Sequence, residues 1–339
     1  MDFTKNLKTI ISGQDLDEEG SASMLMDIFS GKISEAQIGA FMAALATKGE
    51  TFEELAGAAK AMRRKAKRIQ TVSKKVIDTC GTGGDASGSF NISTTTAFVV
   101  AGAGVTVAKH GNRSISSQCG SADVLEELGV NLNTDPEIIE EAVNDIGIGF
   151  MFAPIYHGSM KFAGKARQEC GIRSIFNMLG PLTNPAASAC QLLGVYAPEL
   201  TEMFAKALNL LGVSKAFVVH GHDGMDEITT TTLTRVSALH HGTIRTFDLN
   251  PLDFLEYFSD PKDLKGGNKK ENAAITKAVL QGEKGPRRDI VLLNSGVALV
   301  AADMADSIRT GMALAEESID SGKAFQKLEL LVRFTQENG

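Results

Sequence analysis

Cysteine is scarce in this sequence, and its placement does not indicate a metal site. Cys80, Cys119, Cys170 and Cys190 lie far apart, without a C-x-x-C pair and without histidines at a zinc-ligand spacing. Disulfide frameworks are typical of small secreted proteins, whereas isolated thiols are typical of proteins in a reducing compartment. We therefore expect reduced cysteines and a cytoplasmic location.

The sequence also lacks long apolar segments. The longest, residues 97–108, contains two glycines and falls well short of the roughly 20 apolar residues that a membrane span needs. At the N-terminus, no charged start is followed by an apolar segment, so the sequence predicts no signal peptide. We expect a soluble protein that does not bind membranes.

An excess of basic residues is missing as well. With 34 Lys and Arg against 41 Asp and Glu, the net charge of -7 argues against general nucleic-acid binding, although it is compatible with one local basic pocket. The basic run at residues 60–68 has no interleaved aromatic side chains for base stacking. We interpret this run as the solvated end of a helix, where cations complement the helix dipole.

The length and the first part of the chain indicate two domains. A chain of 339 residues exceeds what one hydrophobic core usually fills. The first seventy residues show only helical signals, with apolar residues at helical spacing in 21–29 and capping boxes at Ser34-Glu35-Ala36-Gln37 and Thr51-Phe52-Glu53-Glu54. The second capped helix is predicted to run to about Arg68. Short helices must pack on other elements to be stable, so we expect a homodimer through this region.

From Lys75 onward, strands alternate with helices, which predicts an α/β domain with a mostly parallel sheet covered on both faces. Strands are predicted at residues 76–80, 105–108, 148–152, 192–196, 216–220, 228–232 and 244–248. Helices are predicted at residues 121–128, 135–145, 199–211, 272–280, 288–302 and 305–321. An apolar segment at about 171–187 is predicted to return to the helical domain of residues 1–71, which leaves 72–170 and 188–339 for the α/β domain.

Residues 76–113 indicate an anion site. A strand leads into the glycine turn 81–85, hydroxyl side chains follow at a helix start, and the next strand is predicted to end in a loop with Lys109, His110 and Arg113. Backbone N–H groups and the positive end of a helix dipole suit a phosphate, and the cations reach the same edge of a parallel sheet. The turn matches neither the P-loop nor the Rossmann pattern. A tight turn and a solvated loop without a ligand remain alternatives.

Asp226 and Glu227 form a carboxylate pair shortly after a strongly apolar strand. Beside a phosphate, this pair would be repelled unless a metal lay between them, and Mg²⁺ takes carboxylates together with substrate phosphates and water. An acidic turn without a ligand is equally compatible with these residues alone.

In their order along the chain, the motifs resemble the anthranilate phosphoribosyltransferase family, and the resemblance covers essentially the whole sequence. The matching motifs are Gly81-Thr82-Gly83-Gly84-Asp85, Asn91-Ile92-Ser93-Thr94, Lys109-His110-Gly111-Asn112-Arg113, Arg167, Ile175-Phe176-Asn177-Met178-Leu179-Gly180-Pro181-Leu182-Thr183-Asn184-Pro185 and Asp226-Glu227.

The resemblance implies a small all-helical domain and a larger α/β domain with a mostly parallel central sheet. This fold is shared with the pyrimidine nucleoside phosphorylases and usually forms a homodimer. The implied reaction joins anthranilate to 5-phosphoribosyl 1-diphosphate with Mg²⁺, giving N-(5-phosphoribosyl)anthranilate and diphosphate in tryptophan biosynthesis. Whether an amidotransferase partner docks is left open.

The resemblance also assigns ligand contacts. Contacts to the phosphoribosyl donor are expected from Gly81, Gly84, Asp85, Ser89, Asn91, Ile92, Ser93, Thr94, Lys109, His110, Gly111, Asn112, Arg113, Ser114, Ile115, Ser116, Ser117 and Ser121. Contacts to anthranilate are expected from Gly81, Asn112, His157 and Arg167, with the arginine facing the carboxylate, and contacts to Mg²⁺ from Ser93, Asp226 and Glu227.

Three positions depart from the usual pattern of that family. Ser89 stands where threonine is more frequent, and it keeps the hydroxyl. His157-Gly158-Ser159 replaces the more usual His-Pro-Ala, which is expected to loosen the wall beside anthranilate. Gly267-Asn268 stands near a position where aspartate is frequent, and the sequence alone leaves the consequence of this change open.

The implied chemistry does not require a strong base. Loss of diphosphate leaves an oxocarbenium-like centre, so stabilising the leaving anion and orienting the amine matter most. The aromatic amine is already neutral at physiological pH, and His110 is the nearest titratable candidate for an acid or base. Two alternatives remain: a pyrimidine nucleoside phosphorylase-like enzyme and a non-enzymatic, nucleic-acid-binding relative.

Overall fold

The computed structural model describes residues 2–114 and 119–339. Three predicted donor contacts, Ile115, Ser116 and Ser117, lie outside the described residues. Within the described ranges, no helix is long and apolar enough to cross a membrane. All four cysteines are free thiols, as the sequence predicted.

The chain begins with four helices that share one core. These are α1 (Phe3–Ile11), α2 (Glu18–Phe29), α3 (Glu35–Lys48) and α4 (Phe52–Lys65). Both predicted capping boxes are present, at Ser34 with Gln37 and at Thr51 with Glu54. Helix α4 ends three residues before the predicted Arg68, and its basic last turn complements the negative end of the helix dipole.

A later segment packs against these four helices. It contains α9 (Lys161–Cys170) and α10 (Ile175–Met178). The preceding α8 (Ala153–Tyr156) is not part of it, because Tyr156 is buried in a separate apolar cluster with Val76 and Ile139. The ring of Phe176 on α10 lies 6.3 Å from that of Phe29 and 6.5 Å from that of Phe41. Ala163 and Ala166 of α9 are buried in the same apolar cluster, although the sequence placed α9 in the α/β domain. We call the four helices together with α9 and α10 the helical core.

The α/β region contains one seven-stranded sheet in the order β3-β2-β1-β4-β5-β6-β7. The strands are β1 (Val76–Gly81), β2 (Thr106–Gly111), β3 (Ile148–Phe152), β4 (Cys190–Gly194), β5 (Lys215–Gly221), β6 (Thr234–His240) and β7 (Thr243–Leu249). The pairs among β1 to β5 are parallel, whereas β5–β6 and β6–β7 are antiparallel. The mostly parallel sheet confirms the predicted fold class.

The strands differ from the prediction at three places. Residues 228–232 form no strand, and their threonine side chains bond to residues outside the sheet: Thr229 donates to Asp223 at 2.6 Å, and Thr230 donates to Ser259 at 2.9 Å. Strand β6, which follows, was missed. The predicted loop at Lys109 and His110 is the end of β2, paired in register with β3.

The remaining helices cover the sheet. They are α5 (Ile92–Gly102), α6 (Ser121–Glu127), α7 (Pro136–Asp145), α11 (Leu200–Leu210), α12 (Lys269–Leu280), α13 (Pro286–Ala301), α14 (Ile308–Asp320) and α15 (Lys323–Asn338). Helices α5 and α13 are buried almost along their whole length in one apolar cluster, and α11 joins the cluster of the helical core. Because β1 and β2 pair in parallel, their carboxyl ends lie at the same edge of the sheet.

Candidate active site

The glycine turn after β1 is held by groups from distant parts of the chain. The Thr82 N–H donates to the Gly194 carbonyl at 2.9 Å, and the Gly83 N–H donates to Asp226 Oδ2 at 2.8 Å. Gly83 and Gly84 have φ values of 66° and 74°, a left-handed conformation that favours glycine. The turn is therefore a fixed structure at the carboxyl edge of the sheet.

Asp226 fits against the glycine turn only because two neighbouring residues lack side chains. A Cβ atom at Gly81 would collide with the Asp226 carboxylate, and one at Gly194 would collide with the Asp226 backbone. These glycines are neighbours in the β1–β4 pairing. The sheet edge is thus shaped to receive the acidic pair.

Three carboxylates concentrate negative charge at the turn. The pKa of Asp226 is raised to about 7, first by burial and then by the negative charge of Asp85. Burial and the charge of Asp226 also raise the pKa of Glu227, which accepts a hydrogen bond from the Ser93 N–H at 3.0 Å. Asp85 Oδ2 is buried and accepts no hydrogen bond from the described residues. Carboxylates in such a cluster are stabilised by a proton or a cation among them.

Lys109 is the cation beside this cluster. Its side chain is buried, with Nζ donating to the Thr79 carbonyl and lying 3.5 Å from Ser93 Oγ. Burial lowers the pKa of Lys109, whereas the charge of Asp78 and, more weakly, those of Glu227 and Asp226 raise it. Lys109 and Ser93 thus lie together as predicted, at the end of a strand and the start of α5.

His110 and His157 form a buried pair. Their Nε2 atoms lie 3.1 Å apart, and His110 Nδ1 lies 3.1 Å from the Gly180 carbonyl. Burial lowers the pKa of His157 to about 4, and burial together with the charge of His157 lowers that of His110 to about 3. Both imidazoles are therefore neutral at physiological pH. The pair brings His110, a predicted donor contact, next to His157, a predicted anthranilate contact.

Arg113, a donor contact expected from the sequence, is paired with two acidic residues of α6 in this structure. Its guanidinium makes ion pairs with Asp123 at 3.0 Å and Glu126 at 2.8 Å. Asn112 and Ser121 bond to each other, since Ser121 Oγ donates to the Asn112 carbonyl at 3.3 Å, and the Ser114 N–H donates to Asp123 at 3.1 Å. The Arg113 guanidinium is thus neutralised by α6, whereas the Lys109 ammonium lies beside Thr79 and Ser93.

Of the remaining predicted donor contacts, Ser89 and Asn91 hydrogen-bond to other residues of the chain, whereas the buried Thr94 Oγ1 has no partner among the described residues. Ser89 Oγ accepts from Ser87 Oγ at 3.1 Å, and Asn91 makes no capping bond but donates to the Cys119 carbonyl at 3.3 Å. Ile92 is buried in the core with its N–H bonded to the Phe90 carbonyl, and Thr94 is also buried. These contacts give no support to a donor contact through the Ile92 side chain.

Comparison with known proteins identifies the family. The model of the glycosyl transferase family helical bundle domain matches residues 5–66, and that of the a/b domain of the same family matches residues 73–325. Anthranilate phosphoribosyltransferase of Desulfosudis oleivorans is 64% identical over 338 residues, which cover 99% of this chain and 100% of that protein. The chain belongs to the anthranilate phosphoribosyltransferase family.

Solved structures of anthranilate phosphoribosyltransferases agree with this assignment. The enzyme from Thermus thermophilus superposes with a TM-score of 0.93 at 40% identity, covering 98% of this chain and 99% of that one. The enzyme from Saccharomyces cerevisiae, solved in complex with PRPP and Mg, has a TM-score of 0.90 at 29% identity, covering 99% and 98%. The yeast enzyme has also been solved in complex with 4-fluoroanthranilate.

Arg167, the anthranilate contact expected from the family resemblance, is half-buried on α9 with its guanidinium 5.6 Å from the centre of the Phe176 ring. Burial lowers its pKa. Within the described part of the chain, no hydrogen bond joins Arg167 to the glycine turn. Arg167 is thus placed on the helical core, beside Phe176.

Sequence reasoning missed two residues of the site. Arg173 donates to the Gly84 carbonyl at 3.1 Å, and Asn272 donates to Asn91 Oδ1 at 3.0 Å. Arg173 lies two residues before a matched motif, but nothing in the sequence indicates the partner of either side chain. The departure at Asn268 has a structural explanation, because Asn268 caps α12 by accepting from Lys270 and Glu271.

Proposed function

We propose that this protein transfers the phosphoribosyl group of 5-phosphoribosyl 1-diphosphate to the amine of anthranilate. The products are N-(5-phosphoribosyl)anthranilate and diphosphate, in tryptophan biosynthesis. The observation that carries this proposal is the contact of Asp226 with the glycine turn, which joins an acidic pair to a phosphate-binding geometry. The relatives that share this fold are named for the same reaction.

The donor site comprises the glycine turn, the start of α5 and the end of β2. The diphosphate of the bound donor faces Lys109 and backbone N–H groups. The other contacts to the donor are those predicted from Gly81 to Ser121. Lys109 enters this site from a buried position, so its ammonium is fixed before the donor arrives. Fixed charge is more effective at a developing anion than charge that must be reoriented.

The residues present fit Mg²⁺. Burial raises the pKa values of Asp226 and Glu227, and the negative charges of Asp85 and Asp226, respectively, raise them further. Asp85 Oδ2 has no donor among the described residues. Among the described residues, no three His, Cys, Asp or Glu side chains form a complete metal cage. Mg²⁺ is typically held by one or two carboxylates plus substrate phosphates and water. Ser93, Asp226 and Glu227 would hold the ion, which when bound neutralises charge on the diphosphate leaving group.

Anthranilate is bound on the side of the helical core. Arg167 meets its carboxylate, while His157, Asn112 and Gly81 orient its ring and amine toward the donor. With a pKa of about 3, His110 is a weak base, so we assign it to orientation rather than to proton abstraction. The neutral aromatic amine can attack without prior deprotonation.

The domain division and assembly belong to this proposal. The helical domain comprises residues 1–71 and the return segment, whose contacts through Ala163 and Ala166 favour a start at α9 rather than at residue 171. We propose a homodimer through this domain, supported by the exposed apolar side chains of Phe162 and Ile172. The free cysteines favour a cytoplasmic location.

Diphosphate release tests the proposal. Purified protein with the phosphoribosyl donor and Mg²⁺ should release diphosphate only when anthranilate is added. Release of ribose 1-phosphate from a pyrimidine nucleoside with inorganic phosphate, without any anthranilate reaction, would favour the nucleoside phosphorylase alternative instead.

A further inference from the structure

Arg173 connects the helical core to the glycine turn. It lies two residues before α10 begins at Ile175, and α10 packs its Phe176 ring against Phe29 and Phe41. The Arg173 side chain reaches the sheet edge, where Nη2 donates to the Gly84 carbonyl at 3.1 Å. Any movement of α10 relative to the sheet therefore acts on this hydrogen bond.

Tyr196 fixes the direction of the Arg173 side chain. The guanidinium lies 3.9 Å from the centre of the Tyr196 ring, a cation–π geometry in which a planar guanidinium can stack. Tyr196 follows β4, and its N–H donates to Thr82 Oγ1 at 3.1 Å. Arg173 and Tyr196 thus hold two residues of the same turn.

The conformation of Gly84 depends on this arrangement. Its φ of 74° suits glycine, and a Cβ atom there would lie 2.6 Å from Arg173 Nη2. In a trans peptide, the carbonyl of one residue and the N–H of the next point in opposite directions. When Arg173 holds the Gly84 carbonyl, the Asp85 N–H is directed to the other side of the turn, where it can serve an anion.

We propose that Arg173 is a positioning residue for the phosphoribosyl donor. It holds the Gly84 peptide in the orientation that presents an N–H to the diphosphate, and it links that peptide to the helical core. The inference rests on the proposed function, because it names a further residue for the same donor site. No direct contact of Arg173 with anthranilate is required, so its effect should fall on the donor.

Steady-state kinetics with Arg173→Ala test the inference. We expect the KM for the donor to rise about tenfold or more, as for loss of a charge-assisted hydrogen bond, while the KM for anthranilate stays within about twofold. Arg173→Lys should not restore the donor KM, because an ammonium cannot stack flat on Tyr196. Arg245→Ala is the matched control, since Arg245 also lies over an aromatic ring, Phe247, but on the outer strand β7. It should behave as wild type.

A double-mutant cycle with Tyr196→Leu separates positioning from a general structural effect. If Tyr196 acts through Arg173, the double variant should have about the donor KM of Arg173→Ala alone. Additive effects, or equal increases in both KM values, would overturn the inference. The rise in melting temperature on adding the donor distinguishes failure of the proposed function from failure of the role of Arg173. No rise in the wild type would overturn the proposed function as well, whereas a wild-type rise that Arg173→Ala matches would overturn the inference alone.

Discussion

Asp226 Oδ2 accepts a hydrogen bond from the Gly83 N–H at 2.8 Å, across 143 residues of sequence. This contact joins the acidic pair to the glycine turn, which sequence patterns could only treat as separate features. It also explains why Gly81 must lack a side chain, since a Cβ there would displace the carboxylate. The contact therefore defines one composite site at the sheet edge.

The first prediction concerns the acidic pair. The double variant Asp226→Asn and Glu227→Gln should lose most turnover and its dependence on Mg²⁺, because amides bind the cation far more weakly than carboxylates. Initial rates across a Mg²⁺ titration measure both effects. The surface double variant Asp253→Asn and Glu256→Gln changes the charge equally at exposed positions and should titrate as wild type. An unchanged Mg²⁺ response in the first variant would mean that the ions bind elsewhere.

Arg167 is predicted to recognise the carboxylate of anthranilate. Its replacement by alanine should raise the KM for anthranilate about tenfold to a hundredfold, the range expected for a lost charge-assisted hydrogen bond, with little change in the donor KM. Lys165→Ala is the matched control, because Lys165 lies on the same helix and makes an exposed ion pair with Glu169. A selective loss of donor affinity in Arg167→Ala would contradict this role.

The histidine pair should make folding stability sensitive to acid. The folded pKa values of His110 and His157, about 3 and about 4, lie below the usual value of 6.5, so the unfolded chain binds more protons as the pH falls below 6.5. Their contribution to stability is complete above pH 6.5 and is lost on acidification toward the folded pKa values. Each histidine contributes up to about 1.4 kcal/mol per pH unit within that window.

Urea unfolding at about pH 7.5 and about pH 5 measures this effect as a change in the free energy of unfolding. His157→Gln removes one of the two protonation sites, so it should lose less stability between these pH values than the wild type. His240→Gln, at an exposed position on β6, is the control and should follow the wild type. If the wild type loses no more free energy of unfolding between these pH values than His157→Gln does, the claim that both buried imidazoles are neutral would be contradicted.

The helical domain is predicted to form a homodimer. Light scattering at micromolar concentration should give twice the chain mass of 36.0 kDa. Phe162→Glu on α9 should shift the mass toward the monomer if the return segment contributes to the interface, whereas Leu252→Glu at an exposed site near β7 should not. A monomeric mass for the wild type would contradict the assembly.

Local patterns in the sequence predicted the helices with capping boxes, the glycine turn and the acidic pair, because their signals lie within a few residues. They failed at Lys109 and His110, where polar residues indicated a loop. These residues belong to strand β2 because they pair with β3, and carbonyl groups distant in sequence form hydrogen bonds with their buried side chains. Arg173 could not be found, since its partner Gly84 lies 89 residues away. Tertiary contacts of this kind are fixed only once the fold is known.

The reaction itself tests the account most directly. Anthranilate fluorescence, followed with purified protein and Mg²⁺, should fall when 5-phosphoribosyl 1-diphosphate is added, and it should not change when ribose 1-phosphate is added. Constant fluorescence with the diphosphate donor, under conditions in which the protein is folded, would contradict the proposed function.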